Sequence, residues 1–83
     1  MIPFKYKGYT ITVEGVITPS TNSVKFSFEN GIDSNTHILK LNTDDDKKWH
    51  NVVNKLKNSV NARLLYLQQR QYKTWVVLIF IAQ

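Results

Sequence analysis

No cysteine occurs in this 83-residue chain, which removes disulfides, thiolate catalysis and cysteine-ligated zinc together. Glycine is scarce: Gly8, Gly15 and Gly31 are scattered and form no phosphate-cradling loop. None of the serines Ser20, Ser23, Ser27, Ser34 and Ser59 stands in the G-x-S-x-G setting of a nucleophile elbow. Acidic residues number six against eleven Lys+Arg, leaving a net charge of +5. No basic segment followed by an apolar one opens the chain as a secretory leader would, and with cysteine also absent a cytoplasmic protein is expected. The longest apolar run, Trp75 to Ala82, falls far short of the roughly 20 residues that a membrane-spanning helix needs, so no membrane span is expected.

A hydrophobic fraction of 42% with 20% charged residues is the composition of a folded domain. At this length the expectation is a single domain over residues 1–83 with one small core, burying about 60–65% of its unfolded surface.

The N-terminal half alternates with the period of strands. Phe4-Lys5-Tyr6 leads into Lys7-Gly8 and then Tyr9-Thr10-Ile11-Thr12-Val13, so Gly8 either closes a tight hairpin or marks a bulge in one long strand. Val16-Ile17 is read as a continuation past Gly15. Thr18-Pro19-Ser20-Thr21-Asn22 reads as a turn, because proline fixes φ while Ser and Asn bond their own backbone. In the next strand Val24, Phe26 and Phe28 line one face, with Lys25, Ser27 and Glu29 on the other. Asn30-Gly31 followed by Asp33-Ser34-Asn35 predicts a loop longer than two residues. Thr36 to Leu41 forms a further strand, with His37, Leu39 and Leu41 on one side and Ile38 and Lys40 on the other.

Thr43-Asp44-Asp45-Asp46 reads as a helix start, with a capping side chain and negative charge at the positive end of the dipole. From Asp44 the helical period places Trp49, Val52, Val53, Leu56, Val60, Leu64 and Leu67 on one face, and the helix is expected to end near Gln69 to Tyr72. Trp75 to Ala82 is then read as a C-terminal strand, apolar on both faces and rich in β-branched and aromatic residues. The expected fold is a two-layer α+β domain in the order β-β-β-α-β, an antiparallel meander with one long helix packed on the sheet. Trp49 and Trp75 are both expected to be buried.

No catalytic constellation emerges, and neither an enzyme nor a cofactor is expected. His37 and His50 could cleave RNA by acid–base chemistry only if both rings met one phosphate, and they lack the further donors that zinc requires. The three aspartates have no matching carboxylates at ligand spacing, so no metal site is expected. What remains is binding. A small interaction module, a regulator or inhibitor acting by protein–protein contact and self-associating as a homodimer, is the first expectation. Its interface would combine Leu65, an apolar residue on the polar side of the helix, and Tyr66, on its flank, with Trp75, Val77, Ile79 and Ile81 of the last strand. The alternative is a nucleic-acid-binding protein, with Lys5, Tyr6, Lys7 and Tyr9 offering cations and stacking rings. Lys48, Lys55, Arg63 and Arg70 would then form a basic helical stripe.

Overall fold

In the computed structural model of the chain, which describes the backbone of residues 3–82 and the side chains of residues 3–71, the alternating N-terminal half forms four antiparallel strands. They are β1 (Phe4–Tyr6), β2 (Tyr9–Glu14), β3 (Ser23–Glu29) and β4 (Ser34–Lys40), in the spatial order β1-β2-β3-β4. Gly8 closes a tight hairpin. Tyr6 pairs directly with Tyr9, and both central residues have positive φ, Lys7 at 50° and Gly8 at 85°. That is the turn whose twist matches two antiparallel strands. The strand ends at Glu14, and Val16 lies exposed beyond it, so Val16-Ile17 does not extend β2. The loop before β4 spans residues 30–33, since Glu29 pairs with Ser34. The Asn30 side-chain oxygen accepts the N–H groups of Ile32 and Asp33 at 3.0 and 2.7 Å, holding the turn together from within.

Alternation sorts the two faces of the sheet. Tyr9, Ile11, Val13, Val24, Phe26 and Phe28 are buried on one side. Lys5, Thr10, Thr12, Glu14, Lys25, Ser27 and Glu29 occupy the other, which is polar and carries a cross-strand pair between Lys25 and Glu14 at 4.0 Å. A sheet with one solvated face needs only one covering layer. Here that layer is the single helix α1 (Trp49–Ala82).

The helix does not begin at Asp44. A 3-10 turn over Asp45–Lys47 comes first, and Lys48 is extended at φ −67° and ψ 132°. The Lys48 carbonyl then accepts the N–H of Val52 at 3.0 Å, which starts α1. The aspartates therefore serve the short turn. Thr43 Oγ1 accepts the Asp46 N–H at 3.2 Å, while Asp46 Oδ2 accepts the N–H groups of Asn42 and Thr43 at 2.9 and 3.2 Å. This reciprocal arrangement has the logic of a capping box.

Val52, Leu56 and Val60 are fully buried on the sheet, and Leu64 packs at the margin of the same core. Trp49, expected inside, is 44% exposed. It is the first residue of α1, immediately after the extended Lys48, so the helix's buried face begins at Val52. Trp49→Ala, at a partly exposed position, should accordingly cost only about 1 kcal/mol, the usual size of a point change outside the core, measured by urea denaturation. A loss near the roughly 3–5 kcal/mol of a buried Trp would place its ring in the core. The side chain of Trp75 lies outside the described residues.

The expected C-terminal strand is not formed, and neither is the order β-β-β-α-β: residues 74–82 continue α1. The physical reason is local. Between Arg70 and Trp75 the chain has no Gly, Pro or Asn to end a helix. Each residue added to an existing helix satisfies its own backbone bond, whereas a new strand must first find a sheet edge. The weak helix propensity of Val and Ile, a few tenths of a kcal/mol each, does not outweigh that. At 34 residues α1 is about 51 Å long, roughly twice the span of the seven-residue strands. The fold accordingly measures 60 × 24 × 16 Å. Among the described residues no helix is long and apolar enough to cross a membrane.

Candidate functional site

Asp33 fixes the helix over the sheet. Its Oδ2 accepts the Tyr9 hydroxyl at 2.7 Å, Arg63 Nε at 3.0 Å and Asn35 Nδ2 at 3.0 Å, and its Oδ1 accepts Arg63 Nη2 at 2.8 Å. One carboxylate thus joins β2, β4 and α1, and the two-point Arg63 contact sets direction as well as distance. The Arg63 bonds, followed by that of Tyr9, hold the Asp33 carboxyl at about 2, below its ordinary value. Burial first, and the bond to Asp33 second, push the Tyr9 hydroxyl up, so it remains a donor.

On the opposite flank, Asn61 Oδ1 accepts the Tyr6 hydroxyl at 3.1 Å and the Lys7 ammonium at 2.8 Å. Lys7 and Lys57 both stand 5.4 Å from the centre of the Tyr6 ring. The inward residues of β4 are less covered than those of β2 and β3: His37 is exposed and Leu39 half-buried.

A groove of about 420 Å³ lies between α1 and β4. Phe26 and Phe28 form its floor, Ser59, Ala62 and Arg63 its helical wall, and His37 stands on its strand side. The His37 ring lies 5.7 Å from both Phe26 and Phe28, nearly parallel to Phe28 at 19°. Ile38, on the other side of the strand, is 69% exposed. Beyond the groove runs the outer edge of β4. Its seven residues, Ser34 to Lys40, include no proline and pair without a bulge along β3. An edge of this kind presents a regular row of unpaired peptide groups. The opposite edge, β1, has three residues and offers much less.

The residues singled out in the sequence are distributed unevenly about this site. Leu65 and Tyr66 are exposed, at 55% and 49%, and the Arg63 guanidinium lies 5.2 Å from the Tyr66 ring centre. Tyr66 continues the helical row of Ser59 and Ala62 that walls the groove. Trp75, Val77, Ile79 and Ile81 belong to α1, and their side chains lie outside the described residues. The basic stripe is largely ion-paired: Lys48 with Asp45 at 3.0 Å, Lys55 with Asp46 at 2.9 Å and Arg63 with Asp33. Its Lys55 partner, with backbone N–H donors, draws the Asp46 carboxyl below its ordinary range. Arg70 sits on an exposed turn of α1. Lys5 is exposed on the polar sheet face, Tyr6 is half-buried beneath its two lysines, and Tyr9 is 1% exposed, edge-on to Phe28.

His37 lies in the groove and His50 on the exposed first turn of α1. Among the described residues no group of His, Asp or Glu has the arrangement of a metal site. The β4 edge and its groove were not among the sites expected from the sequence. The signal was present in the inward row of β4, Asn35-His37-Leu39, which is much less apolar than the inward rows of β2 and β3. A sheet whose last strand has a weak inward row is one that the helix leaves partly uncovered.

No protein-family model matches the chain, and no curated protein or solved structure does.

Proposed function

We propose that the protein is a small non-enzymatic interaction module, a regulator or inhibitor that works by protein–protein contact and self-associates. Its contact surface is the outer edge of β4 with the groove behind it. The observation that carries this reading is the coincidence, on one side of the molecule, of a seven-residue open strand edge and a groove floored by two phenylalanines. Strand addition uses such a pair of features: main-chain hydrogen bonds supply affinity, and pockets for alternate side chains supply specificity. The nucleic-acid reading draws less support, because three of the four cations of the helical stripe are engaged by aspartates.

A photocrosslinking amino acid at Ile38, compared with one at Thr12 in the middle of the polar sheet face, tests the reading in cells. Discrete protein adducts, with the chain itself or with another protein, are expected from Ile38 and not from Thr12. Adducts to nucleic acid, or equal labelling from both positions, would overturn it.

A further inference from the structure

We infer that the occupant of the β4 edge is a second copy of this chain, joined β4 to β4 in antiparallel fashion to make one eight-stranded sheet. The inference rests on the reading of β4 as a contact surface and names the partner.

Antiparallel neighbours point to the same face of a sheet. A two-fold axis perpendicular to the sheet therefore keeps both helices on one side and both polar faces on the other. The register that uses all seven residues of β4 centres on His37. It sets Ser34 opposite the partner's Lys40, Asn35 opposite the partner's Leu39 and Thr36 opposite the partner's Ile38. A slip by one residue would turn every side chain to the wrong face, so the choice is restricted.

Charge selects a partner of this composition. Among the described residues neither Glu29 nor Lys40 has an ion-pair partner, and both are exposed on the polar sheet face. Glu29 pairs with Ser34 across β3 and β4. In the dimer the row on that face therefore reads Glu29, Ser34, the partner's Lys40. The outer two stand two strand spacings apart, about 9.6 Å, with only a serine between them. Two long side chains of opposite sign close that distance, and symmetry makes the contact twice. The neighbouring row, Ser27, Thr36, the partner's Ile38 and the partner's Lys25, brings no like charges together and gives the exposed Ile38 a neighbour. On the helix side Phe26 and His37 meet the partner's His37 and the partner's Phe26, so the row of ring contacts already present at 5.7 Å continues through the axis. β4 itself carries no acidic residue and only one lysine, at its end, so the edge lacks the central charge with which monomeric sheets repel their own copies.

The test is sedimentation equilibrium of the purified chain and of charge variants. The wild type is expected to dimerise at tens of micromolar. Glu29→Lys or Lys40→Glu alone replaces two attractions with two repulsions and should weaken the dimer about tenfold, as two exposed ion pairs would. The double reversal, Glu29→Lys with Lys40→Glu, should return it to within about threefold of wild type. Melting curves should be unchanged throughout, because both side chains are exposed and unpaired. An independent variant reads the register directly. His37→Cys supplies the only thiol and places it opposite itself, at about the Cα separation that a disulfide bridges. Mild oxidation should therefore give a covalent dimer, whereas Thr10→Cys should not. A monomeric wild type, single reversals without effect, a double reversal that fails to rescue, or His37→Cys that does not crosslink would each overturn the self-pairing. Ile38 photoadducts to a different protein, with a monomeric wild type, would leave the reading of a protein-contact module standing while removing self-association and this pairing. Absence of adducts at Ile38 would remove both.

Discussion

Phe28→Ala should cost about 3–5 kcal/mol of folding stability. The side chain is 1% exposed, and it is the ring on which three others converge: Tyr9 edge-on at 5.3 Å, Phe26 at 6.2 Å and His37 at 5.7 Å. Removing it withdraws the floor of the groove and the support of Tyr9, which in turn holds Asp33. For a domain of this size total stability is about 4–12 kcal/mol, so the variant is expected to be largely unfolded or to melt tens of degrees lower. Urea denaturation followed by tryptophan fluorescence and circular dichroism measures the loss. Ile38→Ala, on the exposed side of the neighbouring strand, should change stability by no more than about 0.5 kcal/mol. Equal effects at the two positions would show that the assignment of faces is wrong.

Asp33→Ala is expected to be the most damaging replacement of a polar residue. It leaves the buried Tyr9 hydroxyl without its acceptor, which costs about 1–3 kcal/mol by itself, and it releases Arg63, through which α1 is oriented. The same carboxylate makes stability depend on acid. Its folded value, about 2, lies below its ordinary one. The folded state thus binds its proton less readily than the unfolded chain, and the stabilisation is complete above pH 4. It is lost as the pH falls through 2. Wild type should lose stability across that window, and Asp33→Asn should remove this component of the loss. Tyr9→Phe combined with Asp33→Ala should recover part of the damage, because no hydroxyl is then stranded. Strict additivity of the two changes would mean that the Tyr9–Asp33 bond contributes little.

Short-range chemistry made the sheet legible. The alternation of Val24, Phe26 and Phe28 against Lys25, Ser27 and Glu29 fixed the inward face of β3, and the residues after Asn30-Gly31 required a loop longer than two. The helix face was readable over Val52, Leu56 and Val60 because three turns of one period leave little choice. The misreadings arose where local composition and context compete. Trp75 to Ala82 has the residue types of a strand, yet it follows a helix with no terminating residue between them, and continuity prevailed. Lys48 interrupts the helix start through a backbone angle that no residue type there demands. Leu65 and Tyr66 stood out in the sequence as apolar residues on the polar side and flank of the helix, and both are exposed. The groove did not, because it depends on how the Asp33–Arg63 and Tyr6–Asn61 contacts seat α1 on the sheet. Those contacts join residues 30 and 55 positions apart.

The strand order β1-β2-β3-β4 also governs how the chain finds its fold. Every strand neighbours its predecessor in sequence, so each hairpin closes a short loop before the next begins, and the entropy of closure rises only slowly with each addition. Sheets built from such local pairings lie at the fast end for β-containing domains, whose rates fall as the mean sequence separation of contacts grows. The most non-local event is the seating of Val52, Leu56 and Val60 on strands laid down well before them in the chain. Until that step is complete the aromatic row of β3 faces water beside an unprotected β4 edge. Concentration would then act on the nascent meander as well as on the finished fold, since the edge proposed to join two folded copies is available before the helix has docked.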